Sequence, residues 1–274
     1  MLEWYPKEGG VNRFSFTLTW CSLVMKKLIV FLSCQRCGSS FTARYFHHLG
    51  MSLGPFEMFL GAPDQPLGYC EAIPICDIDH QFHIVAYGFR EDTLDYHLAG
   101  HIMKNRDILM PGISQIPYEW LEEGKNVLES LICSSDLTGF KHPVVLLFWF
   151  YWDYLLSQFH GLGIHLIFLI RPPSAIASSY ARRFSQPKAL CDLIEVYFVN
   201  QLRLYHSWQG KKNLIRFTGV FFQHDFEQAV QGCGLTWDSG LFSQLYDAST
   251  TCDKTIKLDH PVQRRYRELA SLVG

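Results

Sequence analysis

The segment Cys34-Gln-Arg-Cys37-Gly-Ser-Ser40 follows the apolar run Leu28 to Leu32 and carries two thiols, a guanidinium and two hydroxyls. Three chemistries fit it. A Cys-X-X-Cys pair at a helix start can cycle between dithiol and disulfide, because a helix N-terminus lowers a thiol pKa. The stretch Met25 to Cys34, with two lysines, an apolar run and a cysteine, has the outline of an export signal, but its apolar run is short and 24 residues of mixed composition precede it. The eight residues from Ser33 to Ser40 have the length of the phosphate-binding pattern G-x-x-x-x-G-K-[ST], with Ser39 where the lysine belongs. Backbone N–H groups and the helix dipole would still favour an anion in such a loop, and Arg36 would bring a cation from within it.

A second group of candidate ligands is Cys70, Cys76, Asp77, Asp79, His80 and His83, in which Asp79 and His83 share one helix face. It lacks a second closely spaced pair of zinc type, so the expectation is a mixed helical surface and no metal site. The aromatic residues near 148 to 154 are expected in the core, and Arg264 and Arg265 on a solvated face.

The elements that must position these residues alternate. Leu28 to Leu32 has the pattern of a strand buried on both faces, and Ser39 onward that of a helix with Phe41, Tyr45, Phe46 and Leu49 inward. Strand, loop and helix recur at Ile164 to Ile170, Arg171-Pro-Pro and Ser174 to Arg183, where proline suits the first helical turn. Further strands are expected at Pro143 to Phe148 and Leu214 to Phe217, the latter after a long helix from Lys188 to Trp208. Residues 51–137 are less regular, with helix-like segments near Ile73 to Tyr87, Thr93 to Lys104 and Tyr118 to Leu131, and are expected to form a mostly helical insertion over the site. This order predicts an α/β fold: a central parallel sheet flanked by helices, with ligands at the carboxyl ends of the strands. The expected organisation is a single α/β domain over 25–274, preceded by an extension at 1–24.

Composition narrows the function classes. With 274 residues and 48% hydrophobic content the chain can bury a large core. A formal charge of −2 provides no overall field for nucleic acid or an anionic membrane, so any anion site must be local. Nine cysteines without framework spacing fit reduced thiols and a cytoplasmic location. The longest apolar stretch, from Pro143, is broken by Asp153 and falls short of the roughly 20 residues of a membrane span.

Taken together, "FLSCQRCGSSFTAR" resembles the G-M-P-R-S-G-T-S/T loop of sulfotransferases that use 3′-phosphoadenosine 5′-phosphosulfate (PAPS), above all their bacterial-type branch, whose fold is P-loop NTPase-like. Arg36, Gly38, Ser39 and Ser40 match that loop, whereas Ser33, Cys34, Gln35 and Cys37 depart from its Gly, Met, Pro and Ser. "IFLIRPPSAIASSYARRF" is similar to the strand-R-D-P-R-x-x-x-x-S segment, with Arg171 and Ser179 in register and Pro172 in place of the usual Asp. "GFKHPVVLLFW" resembles the K-D-P-R strand, "GYCE" at 68–71 the G-Y/H-F/W-E segment, and "LIRFTGVFFQHDFEQAVQGCGL" the later R-Y-E-D-L stretch. The resemblance spans about residues 28–237.

It implies transfer of a sulfuryl group from PAPS to a hydroxyl or amine of a small molecule or glycan, leaving 3′-phosphoadenosine 5′-phosphate (PAP) and needing no metal. Arg36, Cys37, Gly38, Ser39 and Ser40 would hold the 5′-phosphosulfate, and Arg171 and Ser179 the 3′-phosphate. His142 stands where the animal cytosolic branch has its acceptor base, with Glu71 as the alternative. Two rival functions remain: a non-catalytic nucleotide binder on the same scaffold, and a thiol–disulfide oxidoreductase using Cys34 and Cys37.

Overall fold

The computed structural model describes residues 26–60, 68–87, 113–181, 187–217, 219, 222–246 and 261–272. The extension 1–24 and the expected helix at Thr93 to Lys104 lie outside these. Four strands, β1 (Lys27–Ser33), β2 (Leu137–Lys141), β3 (Gly163–Ile170) and β4 (Lys211–Arg216), form one parallel sheet in the order β2-β1-β3-β4. In β1 every residue from Leu28 to Ser33 is buried, as expected of a strand covered on both faces.

Helices cover the sheet: α1 (Ser39–His48), α2 (Ile73–Tyr87), α3 (Tyr118–Cys133), α4 (Trp149–Leu156), α5 (Pro173–Ala181), α6 (Pro187–Ser207), α7 (Phe222–Gly232), α8 (Ser239–Leu245) and α9 (Val262–Ala270). Pro173 opens α5, where its missing N–H costs nothing. The apolar face of α1 packs into an aromatic cluster in which Phe41, Tyr45 and Phe46 meet Phe226 at ring-centroid distances of 5.1–6.1 Å. Its hydroxyl bonds tie Tyr45 to the Asp238 backbone, donating to the carbonyl (2.8 Å) and accepting from the N–H (3.0 Å).

The expected strand at Pro143 to Phe148 is corrected. The strand beside β1 is Leu137–Lys141, and the apolar run after it forms a 3₁₀ turn at Pro143–Leu146 and then α4. Pro143 cannot donate to a ladder, and the following residues are buried on every side, which suits a packed helical segment as well as a strand. Gly139 lets β2 sit against the segment after α1: a Cβ there would lie 2.3 Å from the Met51 sulfur.

The chain passes from β1 to β2 on one side and then crosses to β3 on the other. The carboxyl end of β1 is therefore a switch point, where a parallel sheet opens a crevice for ligands.

Candidate functional site

The carboxyl ends of all four strands converge there. Ser33 leads into the loop Cys34–Gly38, Lys141 ends β2, Arg171 follows β3 and Phe217 follows β4. The loop is shaped by two left-handed residues, Arg36 (φ 65°) and Gly38 (φ 83°). A left-handed conformation at a non-glycine is uncommon and marks a backbone held by its surroundings. At Gly38 no other residue fits, because a Cβ would lie 2.0 Å from the Phe217 ring. No side chain caps the start of α1, and no acidic residue sits in its first turn. A loop alternating in hand before an uncapped helix start is the geometry that gathers backbone N–H groups toward an anion.

Three charged side chains surround this loop. Arg171, 5% exposed, donates from Nη1 to the Arg36 carbonyl (3.1 Å) and lies 6.0 Å from the centre of the Phe217 ring. Lys141, 3% exposed, reaches from β2 to the head of α1, where its ammonium donates to Ser40 Oγ (3.2 Å), the Tyr69 carbonyl (3.3 Å) and the Glu71 carboxylate. Arg36 itself is half-buried. The carboxyl ends of β1 and β3 are locked together by buried Gln201, whose Nε2 donates to the carbonyls of Leu32 (3.1 Å) and Leu169 (3.0 Å).

Next to Lys141 stands His142. Its Nδ1 donates to Asp79 Oδ2 (2.5 Å), and the fully buried Asp79 also accepts from Trp152 Nε1 (2.9 Å). Burial by itself would lower the imidazole pKa, but the neighbouring Cys76 sulfur and the Asp79 carboxylate outweigh it and hold it well above the ordinary 6.5. Burial raises the carboxyl pKa of Asp79 and the thiol pKa of Cys76, in both cases against the pull of His142. Ligand atoms of Glu71, Cys76 and His142 all lie within 4.8 Å of one another.

The structure thus brings Arg36, Cys37, Gly38, Ser39, Ser40 and Arg171 to one end of the sheet, with Glu71 and His142 joined to them through Lys141. Ser179 lies farther along α5, half-exposed, and its neighbour Ser178 is turned inward to donate to the Ser174 carbonyl (2.8 Å). Cys34 and Cys37 are both fully buried. The expected mixed surface on α2 is corrected at Cys76 and Asp79, which are 7% and 0% exposed because α4 and the β2 end cover that face. Sequence reasoning missed the roles of Lys141 and Asp79. A lysine closing a strand, and the second Asp of Ile75-Cys-Asp-Ile-Asp79, were the available signals.

Two solved structures share the architecture. The sulfotransferase domain of the Synechococcus PCC 7002 olefin synthase superposes with a TM-score of 0.52 at 15% identity, covering 90% of this chain and 94% of its own. The fold is sulfotransferase-like. A sulfotransferase domain from the curacin biosynthetic pathway gives a TM-score of 0.50 at 14% identity, over 90% of this chain and 97% of that one. No protein-family profile and no curated protein matches the sequence. No helix among the described residues is long and apolar enough to cross a membrane.

Proposed function

We propose that the protein transfers a sulfuryl group from PAPS to a hydroxyl or amine acceptor, a small molecule or glycan. The observation that carries this reading is the meeting of an uncapped, left-handed loop with the buried cations Arg171 and Lys141 at the switch point of a sulfotransferase-like sheet. PAPS, when bound, supplies a sulfuryl group activated by its phosphate leaving group.

The residues suit that substrate. The loop amides and Arg36 would take the 5′-phosphosulfate, and Lys141, whose ammonium meets Ser40 at the head of α1, would bring a further cation to a loop that lacks the P-loop lysine. Arg171, with Ser179, would take the 3′-phosphate, and its bond to the Arg36 carbonyl already couples that site to the loop. Cations fixed in place before charge develops on a leaving phosphate stabilise the transition state without reorganisation.

His142 is the better candidate for the acceptor base. Glu71 is committed to the Lys141 ammonium, so protonating it would break a buried ion pair, whereas His142 has an Asp79 partner that fixes its orientation and, because its pKa is raised, acts as a base through the neutral fraction that grows with pH. Against a dithiol catalyst stand the fully buried Cys34 and Cys37, since thiol–disulfide exchange needs access to the sulfur.

Transfer of labelled sulfate from PAPS to a panel of alcohols and amines tests the proposal. With an acceptor in hand, Arg36→Ala is expected to lose transfer, and His142→Ala to lower turnover by about 10²-fold or more with PAP affinity retained. Loss of turnover in Glu71→Gln but not in His142→Ala reassigns the base, and no transfer across the panel despite tight PAP binding indicates a non-catalytic nucleotide binder.

A further inference from the structure

Cys76 has no task in sulfuryl transfer, yet its sulfur, a Glu71 oxygen and a His142 ring nitrogen lie within 4.8 Å of one another. Thiolate, imidazole and carboxylate are the three ligand types zinc combines, and three protein ligands with one position left open is the arrangement of its non-structural sites. The ligands come from three places in the chain: the segment before α2, the first turn of α2, and the residue after β2. Each is anchored independently. Lys141 engages one Glu71 oxygen and leaves the carboxylate a second. Cys76 is held on α2 in the core wall.

The second observation is the support behind His142. Asp79 takes the proton of Nδ1, so in the neutral ring the lone pair sits on Nε2, and Trp152 Nε1 in turn fixes Asp79. A carboxylate behind a histidine is the arrangement that orients metal-ligating imidazoles and raises their basicity. A surface cluster of acidic residues has no such backing.

We infer that Glu71, Cys76 and His142 form a binding site for a divalent transition ion of zinc type. Mixed sulfur, nitrogen and oxygen donors disfavour magnesium and calcium, which prefer oxygen alone. On binding, the Cys76 thiol and the protonated His142 ring each release a proton to solvent, and the two anionic ligands balance the charge of the ion. The Lys141 ammonium beside Glu71 keeps affinity below that of a purely anionic pocket. On the proposed reading, in which His142 takes the acceptor's proton, an ion here would occupy that lone pair and inhibit transfer; the binding itself does not rest on that reading.

The test reads binding alone and is therefore independent of the sulfotransferase reading. The full chain is titrated with Co²⁺ under reducing conditions, and Zn²⁺ is then measured by competition with a chromophoric chelator. One equivalent of Co²⁺ with a sulfur-to-cobalt charge-transfer band is expected, displaced by Zn²⁺. Cys76→Ser should abolish the band, and Asp79→Asn should weaken Zn²⁺ binding by about 10- to 100-fold. Cys133→Ser, at an exposed thiol, should change neither. The site is refuted if no stoichiometric binding occurs, or if the charge-transfer band survives in a folded Cys76→Ser protein.

Discussion

At the scale of single residues, the feature that matters is buried charge, at Arg171 and at Lys141. Arg171 is nearly excluded from solvent and sits against the loop backbone, so a phosphate that meets it does so with little competition from water. Arg171→Ala is expected to weaken PAP binding by about 2 to 5 kcal/mol, more than the roughly 1 kcal/mol of an exposed pair. Isothermal titration of the variant checks this, and an unchanged affinity would move the 3′-phosphate elsewhere. Lys141 makes the complementary case for stability. Its removal as Lys141→Met strands the Glu71 carboxylate, which is only 14% exposed, and should cost about 3 to 5 kcal/mol in urea unfolding. Adding Glu71→Gln should restore much of that loss, because the pair carries little net stability once both charges are gone. A double variant as unstable as the single one would show that packing, not the stranded charge, sets the cost.

At the scale of elements, legibility followed the burial pattern. β1 and β3 stood out because both faces are covered, which leaves unbroken apolar runs, and α6 because its pattern persists over many turns. β2 was invisible for the same reason inverted: Leu-Thr-Gly-Phe-Lys contains a glycine demanded by Met51 and a lysine demanded by Glu71, and neither favours a strand by itself. The loop Cys34–Gly38 between β1 and α1 was legible because its residues are contiguous in sequence. The Asp79–His142 pair spans 63 residues between α2 and the β2 end, and no local pattern announces it.

One element-level contact carries a pH dependence. His165 on β3 is 6% exposed, with Nε2 donating to Asn213 Oδ1 on β4 (2.8 Å) and Nδ1 facing Cys233 Sγ (3.4 Å). Burial, aided by Lys211 and Lys27 against the Asn213 bond, lowers its pKa below 6.5. The unfolded chain therefore binds this proton first, so the contribution is whole above pH 6.5 and is lost as pH falls through the folded value. Urea midpoints taken between about pH 8 and pH 5 should fall more steeply for the wild type than for His165→Gln. Parallel profiles would mean that His165 is not held neutral.

At the scale of the whole molecule, the sheet order does what no residue does alone. By sending the chain to both sides of β1, it opens one crevice and lines it with the ends of four strands, so residues as distant in sequence as Arg36, Lys141, Arg171 and Phe217 share a site. On the proposed function, this crevice holds the nucleotide of a sulfuryl donor. Calorimetric titration of the intact protein with PAP, beside adenosine 5′-phosphate lacking the 3′-phosphate, tests it most directly. One PAP per chain is expected, bound at least tenfold more tightly than the analogue, a difference of about 1.4 kcal/mol or more. No measurable binding of PAP, or equal affinity for the two nucleotides, would contradict it.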